Sequence, residues 1–243
     1  MAELAVVLPT YNEADNLGPV VQELERLELD LHLLIVDDNS QDGTKQVARE
    51  LSLTFGNVTV IDRPGKMGLG SALRLGLHEA LATDVRYVVT MDADRSHDPQ
   101  DLPRLLDVIR NGAADLVQGS RYVNGGAIRG LALSRRVSSR AANLLYHWCA
   151  GTPHDSTTNF RAFSRRAASL VVDRARGRDF EFMPEVVFLV LAAGRPASAQ
   201  YLSSGGAPPG GSAPFSVALA PQLPGTLWLS ATGAGHGLGC CQA

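Results

Sequence analysis

Residues 85–94 read VRYVVTMDAD, an apolar run that ends in two aspartates, Asp92 and Asp94. Such a run predicts a buried strand, and polar side chains at its carboxyl end then lie where parallel sheets bind ligands. Two carboxylates spaced i, i+2 on extended backbone point to the same side. Hard divalent cations prefer oxygen ligands and take several of them from substrate phosphates. Because aspartate is also a common turn residue, the pair carries weight only together with other segments.

Apolar runs and helical patterns alternate from the N-terminus to about residue 122. Strands are predicted at 4–10, 31–38, 58–63, 85–94 and 115–119. Helices are predicted at 16–29, 43–53, 68–82 and 99–110. Asp98 is the expected N-cap of the last helix, with Pro99 in its first turn. Strands separated by helices imply an α/β fold in which a mostly parallel sheet is covered by helices on both faces.

Composition limits the classes of function. The chain has 243 residues, 45% of them apolar, and a formal net charge of −3. This length and core suit one large α/β domain, and the charge gives no general attraction to nucleic acid. The 3 cysteines do not form a disulfide framework, which suits a reducing cytosol. No apolar run reaches 18 residues and no signal peptide is evident, so we expect a cytoplasmic protein without a transmembrane helix.

The last part of the chain differs from the rest. Residues 197–243 contain no aspartate, glutamate, lysine or arginine, and are rich in glycine, proline, alanine and serine. Such a composition predicts a flexible tail, so we divide the chain into a domain at 1–196 and a tail at 197–243. An altered reading frame or an alternative terminus would also explain this composition.

Polar clusters follow several predicted strands, at the edge where parallel sheets bind their ligands. They are PTYNE at 9–13, DDNSQDGT at 37–44, DAD at 92–94 and SRY at 120–122. A tyrosine after the first strand can stack on a base, and a glutamate can accept from ribose or base groups. The other interpretation of PTYNE is an ordinary capped loop. For the second cluster we favour a binding role for Asp38 and a turn for Asp42.

The loop RPGKMGLG at 63–70 is rich in glycine and precedes a predicted helix, yet it matches neither a Walker nor a dinucleotide motif. Its glycines allow a ligand to approach the backbone, although a plain turn also explains them. Arg121 is placed to bind a phosphate bidentately, or else to form a surface ion pair.

A predicted helix at 128–148 carries the arginines 129, 135, 136 and 140, which suit an anionic acceptor, a membrane surface or simply a solvated face. A further helix is predicted within 178–194. Asp155 is either a helper acid or a helix cap. His97 and His154 lack a second ligand at metal spacing, so we give neither a metal-binding role.

Taken together, the segments PTYNE, VDDNSQDGT (36–44), GLG (68–70), MDAD (91–94), GSRY (119–122) and D-x-T-x-x-F-R (155–161) form an ordered set. This set resembles the GT-A glycosyltransferases of family 2, and among them the dolichol-phosphate (polyprenol-phosphate) mannosyltransferases. The resemblance extends from residue 4 to about 195. It implies a nucleotide-diphospho-sugar donor, with GDP-mannose expected, and a polyprenyl or dolichyl phosphate acceptor at the cytosolic face of a membrane.

The resemblance also implies roles for individual residues. The donor-binding residues would be Pro9, Tyr11, Glu13, Val36, Asp38, Asp92, Ala93, Asp94 and Arg121. Mg²⁺ or Mn²⁺ would be bound by Asp92, Asp94 and Ser96, and the catalytic residues would be Asp94 and Arg121. The attacking group would be the acceptor phosphate, which is already anionic and needs no strong general base.

The sequence departs from the resemblance at one place. Members of this family usually carry a basic loop after the last strand, whereas residues 199–206 read AQYLSSGG. Two alternatives therefore stay open: another family-2 transferase, and a catalytically silent chain that binds a nucleotide sugar. A sugar-1-phosphate nucleotidyltransferase would need a Gly-rich basic loop directly after the first strand, which PTYNE does not provide.

Overall fold

A computed structural model describes residues 2–120 and 158–201 of the chain. The strands are β1 (Leu4–Thr10), β2 (Leu31–Asp37), β3 (Val58–Asp62), β4 (Tyr87–Thr90), β5 (Leu116–Ser120), β6 (Arg161–Ser164) and β7 (Ala197–Tyr201). The helices are α1 (Ala14–Glu25), α2 (Thr44–Thr54), α3 (Leu69–Leu81), α4 (Leu102–Arg110), α5 (Arg165–Arg174) and α6 (Phe182–Ala192). A 3₁₀ turn at Pro99–Asp101 leads into α4, and Asp98 caps it by accepting from the Gln100 N–H, as predicted.

The strands form one seven-stranded sheet in the order β3-β2-β1-β4-β6-β5-β7. All neighbours pair in parallel except β6, which runs antiparallel to both β4 and β5. The predicted α/β class and mostly parallel sheet are therefore confirmed. The carboxyl ends of β1, β2 and β4 meet at one edge, because β1 lies between the other two.

The two faces of the sheet are covered by different helices. Leu4, Val6 and Leu8 of β1 belong to a core layer shared with α1, α2 and α4. Ala5 and Val7 alternate with them and belong to the layer shared with α3, α5 and α6. This period of two is what a strand buried on both faces requires. No helix in the described ranges is both long and apolar enough to cross a bilayer.

Strand β4 is shorter than predicted. The Met91 N–H still donates to the Val7 carbonyl at 3.1 Å, but the chain then bends, and Arg95 adopts a left-handed φ of 61°. The bend spans 93–97, so Asp94 lies on it, beyond the extended backbone that the i, i+2 argument assumes. Asp92 and Asp94 meet at the same edge because the bend directly follows the strand.

Three elements between residues 158 and 201 were absent from the sequence prediction: β6, α5 and β7. The predicted boundary at residue 196 cuts off β7, whose residues pair with β5 from Leu116↔Ala197 to Ser120↔Tyr201. An uncharged segment can form a strand here because backbone hydrogen bonds, and not charges, hold an edge strand to its neighbour. The helix predicted at 128–148 and residues 202–243 of the predicted tail lie outside the described residues.

Candidate active site

An open cleft of about 690 Å³ lies at the carboxyl ends of β1, β2 and β4. The loop after β1 contributes Tyr11 and Glu13, and the bend after β4 contributes Asp92 and Asp94. The Gly-rich loop at 63–70 and the segment at 178–180 complete the lining. Asp38, directly after β2, lines it as well. Five separate stretches of sequence therefore converge on one cleft, and three of them are predicted strand-end clusters.

The aspartates of this cleft are only partly engaged by the protein. Asp92 Oδ1 accepts from Asn159 Nδ2 at 2.7 Å, and its Oδ2 lies 3.8 Å from His97 Nδ1. Asp94 is exposed, and its Oδ1 accepts from the Ser96 N–H at 2.8 Å. Within the described ranges, no protein donor bonds to Asp92 Oδ2 or Asp94 Oδ2. Among the residues that the structure describes, each carboxylate thus keeps an oxygen with no hydrogen-bond donor.

The pKa of Glu13 is shifted by its surroundings, which include these carboxylates. Burial raises its pKa above the ordinary value, and the negative charges of Asp94, Asp42 and Asp92 raise it further. A hydrogen bond from Asn16 Nδ2 at 2.8 Å acts in the opposite direction. A bound cation would relieve this repulsion among acidic groups.

The loops after β1 and β2 are joined by hydrogen bonds. The Asn12 N–H donates to Ser40 Oγ at 2.9 Å, and the Glu13 N–H donates to Thr44 Oγ1 at 2.8 Å. Asp42 accepts from the N–H groups of Ala14 and Thr44, which supports the turn role predicted for it. These bonds fix the loop that carries Tyr11 and Glu13.

Asp38 lines the cleft but is committed to the Gly-rich loop. Its Oδ1 forms an ion pair with the buried Arg63, and its Oδ2 accepts from the Met67 N–H at 3.1 Å. Gly68 has a left-handed φ of 95°, and a Cβ there would collide with the Arg178 carbonyl oxygen. The Ser71 N–H donates to that same carbonyl at 3.0 Å. Asp38 thus positions the Gly-rich loop, which in turn holds residue 178 at the cleft.

Tyr11 is 40% exposed, and Lys66 Nζ lies 3.9 Å from the centroid of its ring. This cation–π contact occupies one face of the tyrosine. A stacked base would therefore use the other face or displace Lys66. Arg178 and Phe180, which is 72% exposed, lie in the same cleft lining.

The predicted site residues separate into three groups. The cleft brings together Pro9, Tyr11, Glu13, Asp38, Asp92, Ala93 and Asp94. Val36 is fully buried in the core layer that contains α3. Because its side chain points to this face of the sheet, it does not reach the cleft. Ser96 is exposed and does not line the cleft, although its N–H holds Asp94. Arg121, Asp155, His154 and the arginines 129–140 lie outside the described residues.

Sequence reasoning missed several residues that shape the site. Asn159 and His97 are buried beside Asp92, and the His97 ring stacks on Phe160 with 5.3 Å between centroids. The Asp92 N–H donates to His97 Nδ1 at 3.3 Å. Asn159 lies inside the D-x-T-x-x-F-R segment, so its position was available as a signal. Arg178 had no such signal, because the packing against Gly68 that brings it to the cleft is long-range.

The model of the family "Glycosyl transferase family 2" matches residues 5–171. Over 162 residues the chain is 43% identical to a polyprenol monophosphomannose synthase from Mycolicibacterium smegmatis, covering 66% of this chain and 61% of that protein. Over 142 residues it is 39% identical to a dolichol-phosphate mannosyltransferase from Pyrococcus furiosus, covering 58% of this chain and 39% of that protein. The chain thus spans less than two thirds of either relative. These matches confirm the resemblance seen in the motifs.

Solved structures confirm the fold. Glucosyl-3-phosphoglycerate synthase from Mycobacterium tuberculosis, in complex with Mn²⁺, UDP and phosphoglyceric acid, matches with a TM-score of 0.56 and 20% identity, covering 79% of this chain and 65% of that one. A mannosyltransferase from Pyrobaculum calidifontis, in complex with GDP-Man and Mn²⁺, matches with a TM-score of 0.52 and 18% identity. The match covers 76% of this chain and 51% of that one.

Proposed function

Because the chain belongs to glycosyltransferase family 2, we propose that it transfers mannose from GDP-mannose to a polyprenyl or dolichyl phosphate. The names of its two relatives at 43% and 39% identity support this donor and acceptor. The catalytic residue would be Asp94, with Arg121 acting on the donor phosphates or the acceptor.

One observation carries the proposal: acidic and basic side chains line the same cleft. Asp92, Asp94 and Glu13 contribute carboxylates, while Lys66 and Arg178 contribute cations. A nucleotide-diphospho-sugar presents both a polar nucleoside and a doubly charged diphosphate. Carboxylates suit the ribose hydroxyls and a bridging metal, whereas the cations suit the phosphates directly.

The donor set fits a hard divalent cation, Mg²⁺ or Mn²⁺. Within the described ranges, Asp92 and Asp94 each keep an oxygen without a protein donor. Burial raises the pKa of the neighbouring Glu13, and the charges of Asp94, Asp42 and Asp92 raise it further. In the described ranges, no three histidine, cysteine, aspartate or glutamate side chains come close enough to enclose a metal. A Mg²⁺-type site with two carboxylates and substrate phosphates needs no such cage. Ser96 stays a predicted third ligand; its N–H donates to Asp94 Oδ1 at 2.8 Å.

The reaction replaces one bond at the anomeric carbon. A phosphate oxygen of the acceptor forms a new C–O bond while the bond to the diphosphate breaks, and its electron pair leaves on the diphosphate. The metal supplies charge neutralisation of that leaving group when bound. Asp92 and Asp94 would hold it, and Lys66 and Arg178 would face the same phosphates. Attack opposite the leaving group inverts the anomeric centre, and the anionic acceptor oxygen requires no proton removal.

The acceptor is a lipid, so the protein would work at a membrane surface as a peripheral protein on the cytosolic side. The arginines 129, 135, 136 and 140 would contact the acceptor phosphate or anionic headgroups.

The decisive experiment offers purified protein a panel of radiolabelled nucleotide sugars with Mn²⁺ and a short-chain polyprenyl phosphate. We expect lipid-extractable label from GDP-mannose, and none when the acceptor is omitted or EDTA is present. Label from a different nucleotide sugar alone would overturn the donor assignment. Undiminished transfer in EDTA would overturn the metal.

A second candidate is a chain that binds the nucleotide sugar without turnover. The absence of charged residues over 197–243, where a basic loop is expected, favours it. Thermal stabilisation by GDP-mannose with Mn²⁺, in the absence of any transfer to lipid, would support this candidate over the first.

A further inference from the structure

A second depression, of about 550 Å³, lies beside the cleft and is lined by basic side chains. We name it the basic recess; its polar lining consists of Lys66, Ser71, Arg74, Arg176 and Arg178. The cations come from the Gly-rich loop, from α3 and from the segment before α6. No aspartate or glutamate of the described ranges lines it.

The four cations of the recess have no carboxylate partner among the described residues. Arg176 Nη1 contacts only the carbonyls of Asp173 and Ala175, at 3.0 and 3.1 Å, and Lys66 lies over the Tyr11 ring. The exposed Arg49, in contrast, pairs with Asp62 at 2.9 Å. The recess therefore groups four positive side chains that form no ion pair within the described ranges, in a chain whose net charge is negative.

Two glutamates next to the recess accept hydrogen bonds from backbone N–H groups. Glu185 accepts from the N–H groups of Arg176 and Gly177, at 2.9 and 2.7 Å. Glu181 accepts from the N–H groups of Arg178 and Asp179, at 2.9 and 3.2 Å. These four bonds fix the loop that carries the two arginines. Both carboxylate oxygens of Glu185 and Oε1 of Glu181 thus accept from backbone N–H groups and not from the guanidinium groups.

The recess is tied to the cleft by shared residues. Lys66, Met67 and Arg178 line both spaces, and the Ser71 N–H bond to the Arg178 carbonyl joins their walls. Arg74 and Arg176 line the recess alone. A ligand of the recess would therefore lie next to the donor without contacting Asp92 or Asp94.

We propose that the basic recess binds a phosphate group, separately from the donor diphosphate. Guanidinium groups bind phosphate oxygens through paired, charge-assisted hydrogen bonds, and a pre-positioned set of them raises both affinity and specificity. The phosphate belongs either to a free phosphate ester or to the headgroup of an anionic lipid, since both present the same chemistry. This inference does not depend on the proposed transferase activity.

The test measures binding of inorganic phosphate to the full chain by calorimetry in EDTA, where a metal-dependent donor site does not respond. We expect saturable binding that weakens about fivefold in Arg74→Gln and in Arg176→Gln, the scale of one exposed ion pair. Arg26→Gln is the matched control, because Arg26 is an exposed arginine at the end of α1 that does not line the recess. Thermal melting confirms that the variants are folded.

Vesicle sedimentation distinguishes the two sources of the phosphate. If the recess takes a lipid headgroup, phosphatidylglycerol in phosphatidylcholine vesicles retains the protein, and the double variant of Arg74 and Arg176 loses this retention. If it takes a free phosphate, only the calorimetric signal changes. Phosphate and vesicle binding that are both unaffected by the double variant, or equally reduced by Arg26→Gln, would overturn the proposal. Manganese-dependent binding of GDP-mannose is measured separately in Arg74→Gln. We expect it to be unchanged, so that a failure of the proposed function is told apart from a failure of this proposal.

Discussion

Two aspartate pairs lie at the ends of the strands on either side of β1, and they differ in how many of their carboxylate oxygens the protein hydrogen-bonds. After β2, every carboxylate oxygen of Asp37 and Asp38 is engaged: Asp37 by Thr10 and Ser40, and Asp38 by Arg63 and Met67. After β4, Asp92 and Asp94 each keep one oxygen without a protein donor in the described ranges. The first pair holds loops together, whereas the second pair is the one for which we propose a ligand.

This difference explains why an aspartate pair at a strand end is an ambiguous signal. Buried charges require partners, so the first pair is stable only because Arg63 and local N–H groups surround it. An exposed carboxylate such as Asp94 needs no such partner. A comparison of the two pairs by substitution should therefore separate loss of folding from loss of function.

The largest effect is expected for Asp94→Ala. If the proposed function holds, transfer should fall by about a thousandfold, because the leaving diphosphate would lose the charge compensation of the proposed metal site. The melting temperature should change little, since Asp94 is exposed. Rates and thermal melts are compared with those of Asp107→Ala, which removes an exposed aspartate from α4. Substantial remaining transfer in Asp94→Ala would mean that the second pair is not the metal site.

Asp38→Asn should instead destabilise the fold. The substitution leaves the buried Arg63 guanidinium without its carboxylate, at a cost of about 3 kcal/mol in the free energy of unfolding. Urea denaturation measures this change. The control is Asp62→Asn, which breaks the exposed pair with Arg49 and should cost less than about 1 kcal/mol. Equal costs for the two variants would contradict the buried role of Asp38.

Asn159→Ala tests the support of the second pair. Without the 2.7 Å bond from its Nδ2, the Asp92 carboxylate is free to rotate. We expect roughly tenfold weaker Mn²⁺ binding, as for other residues that orient a metal ligand. Binding is followed by the electron paramagnetic resonance of free Mn²⁺, so the result does not depend on activity. Asn111→Ala, an exposed asparagine after α4, should leave the affinity unchanged.

The smallest effect concerns Glu13 and pH. Its pKa is raised above the ordinary 4.5 by burial and by the neighbouring aspartates, so its ionised form is less stable in the folded than in the unfolded chain. The folded protein therefore loses stability as pH rises through this raised pKa, and Glu13→Gln removes that loss.

Thermal melts in EDTA across a pH series check this sign. Glu13→Gln should melt higher than the parent chain at neutral pH, and the gap should close below pH 4.5, where both states of Glu13 are protonated. Added Mn²⁺ should narrow the gap at neutral pH by stabilising the ionised form. A gap that is constant with pH would indicate a packing effect instead.

The sequence predicted the strands that are buried on both faces and the polar residues that follow them. β1 was predicted at 4–10 and found at Leu4–Thr10, because a continuous apolar run bounded by polar residues has few other interpretations. The cleft followed from this, since parallel strand ends necessarily share an edge. For Val36 the twofold alternation sends the side chain into the core, so only its backbone would be left for the predicted donor contact.

The rest depends on contacts between distant segments. β6 is only four residues long and begins with a buried arginine, Arg161, so neither periodicity nor composition marks it as a strand. For α5 a signal existed: Ser164 caps it by accepting from the Ala167 N–H at 3.2 Å. Arg178 enters the cleft only because Gly68 allows close packing, which no local pattern encodes.

The contact of the Gly-rich loop with residues 177–182 has a practical consequence for engineering. At Gly68 and Gly70 the opposing chain is so near that even a methyl group has no room, so a mutant library randomised there would return mostly misfolded protein. Donor preference is better explored at Lys66, Arg178 and Phe180, whose side chains are exposed at the cleft. Substitutions at these three positions leave the close backbone contact between the Gly-rich loop and residues 177–182 intact.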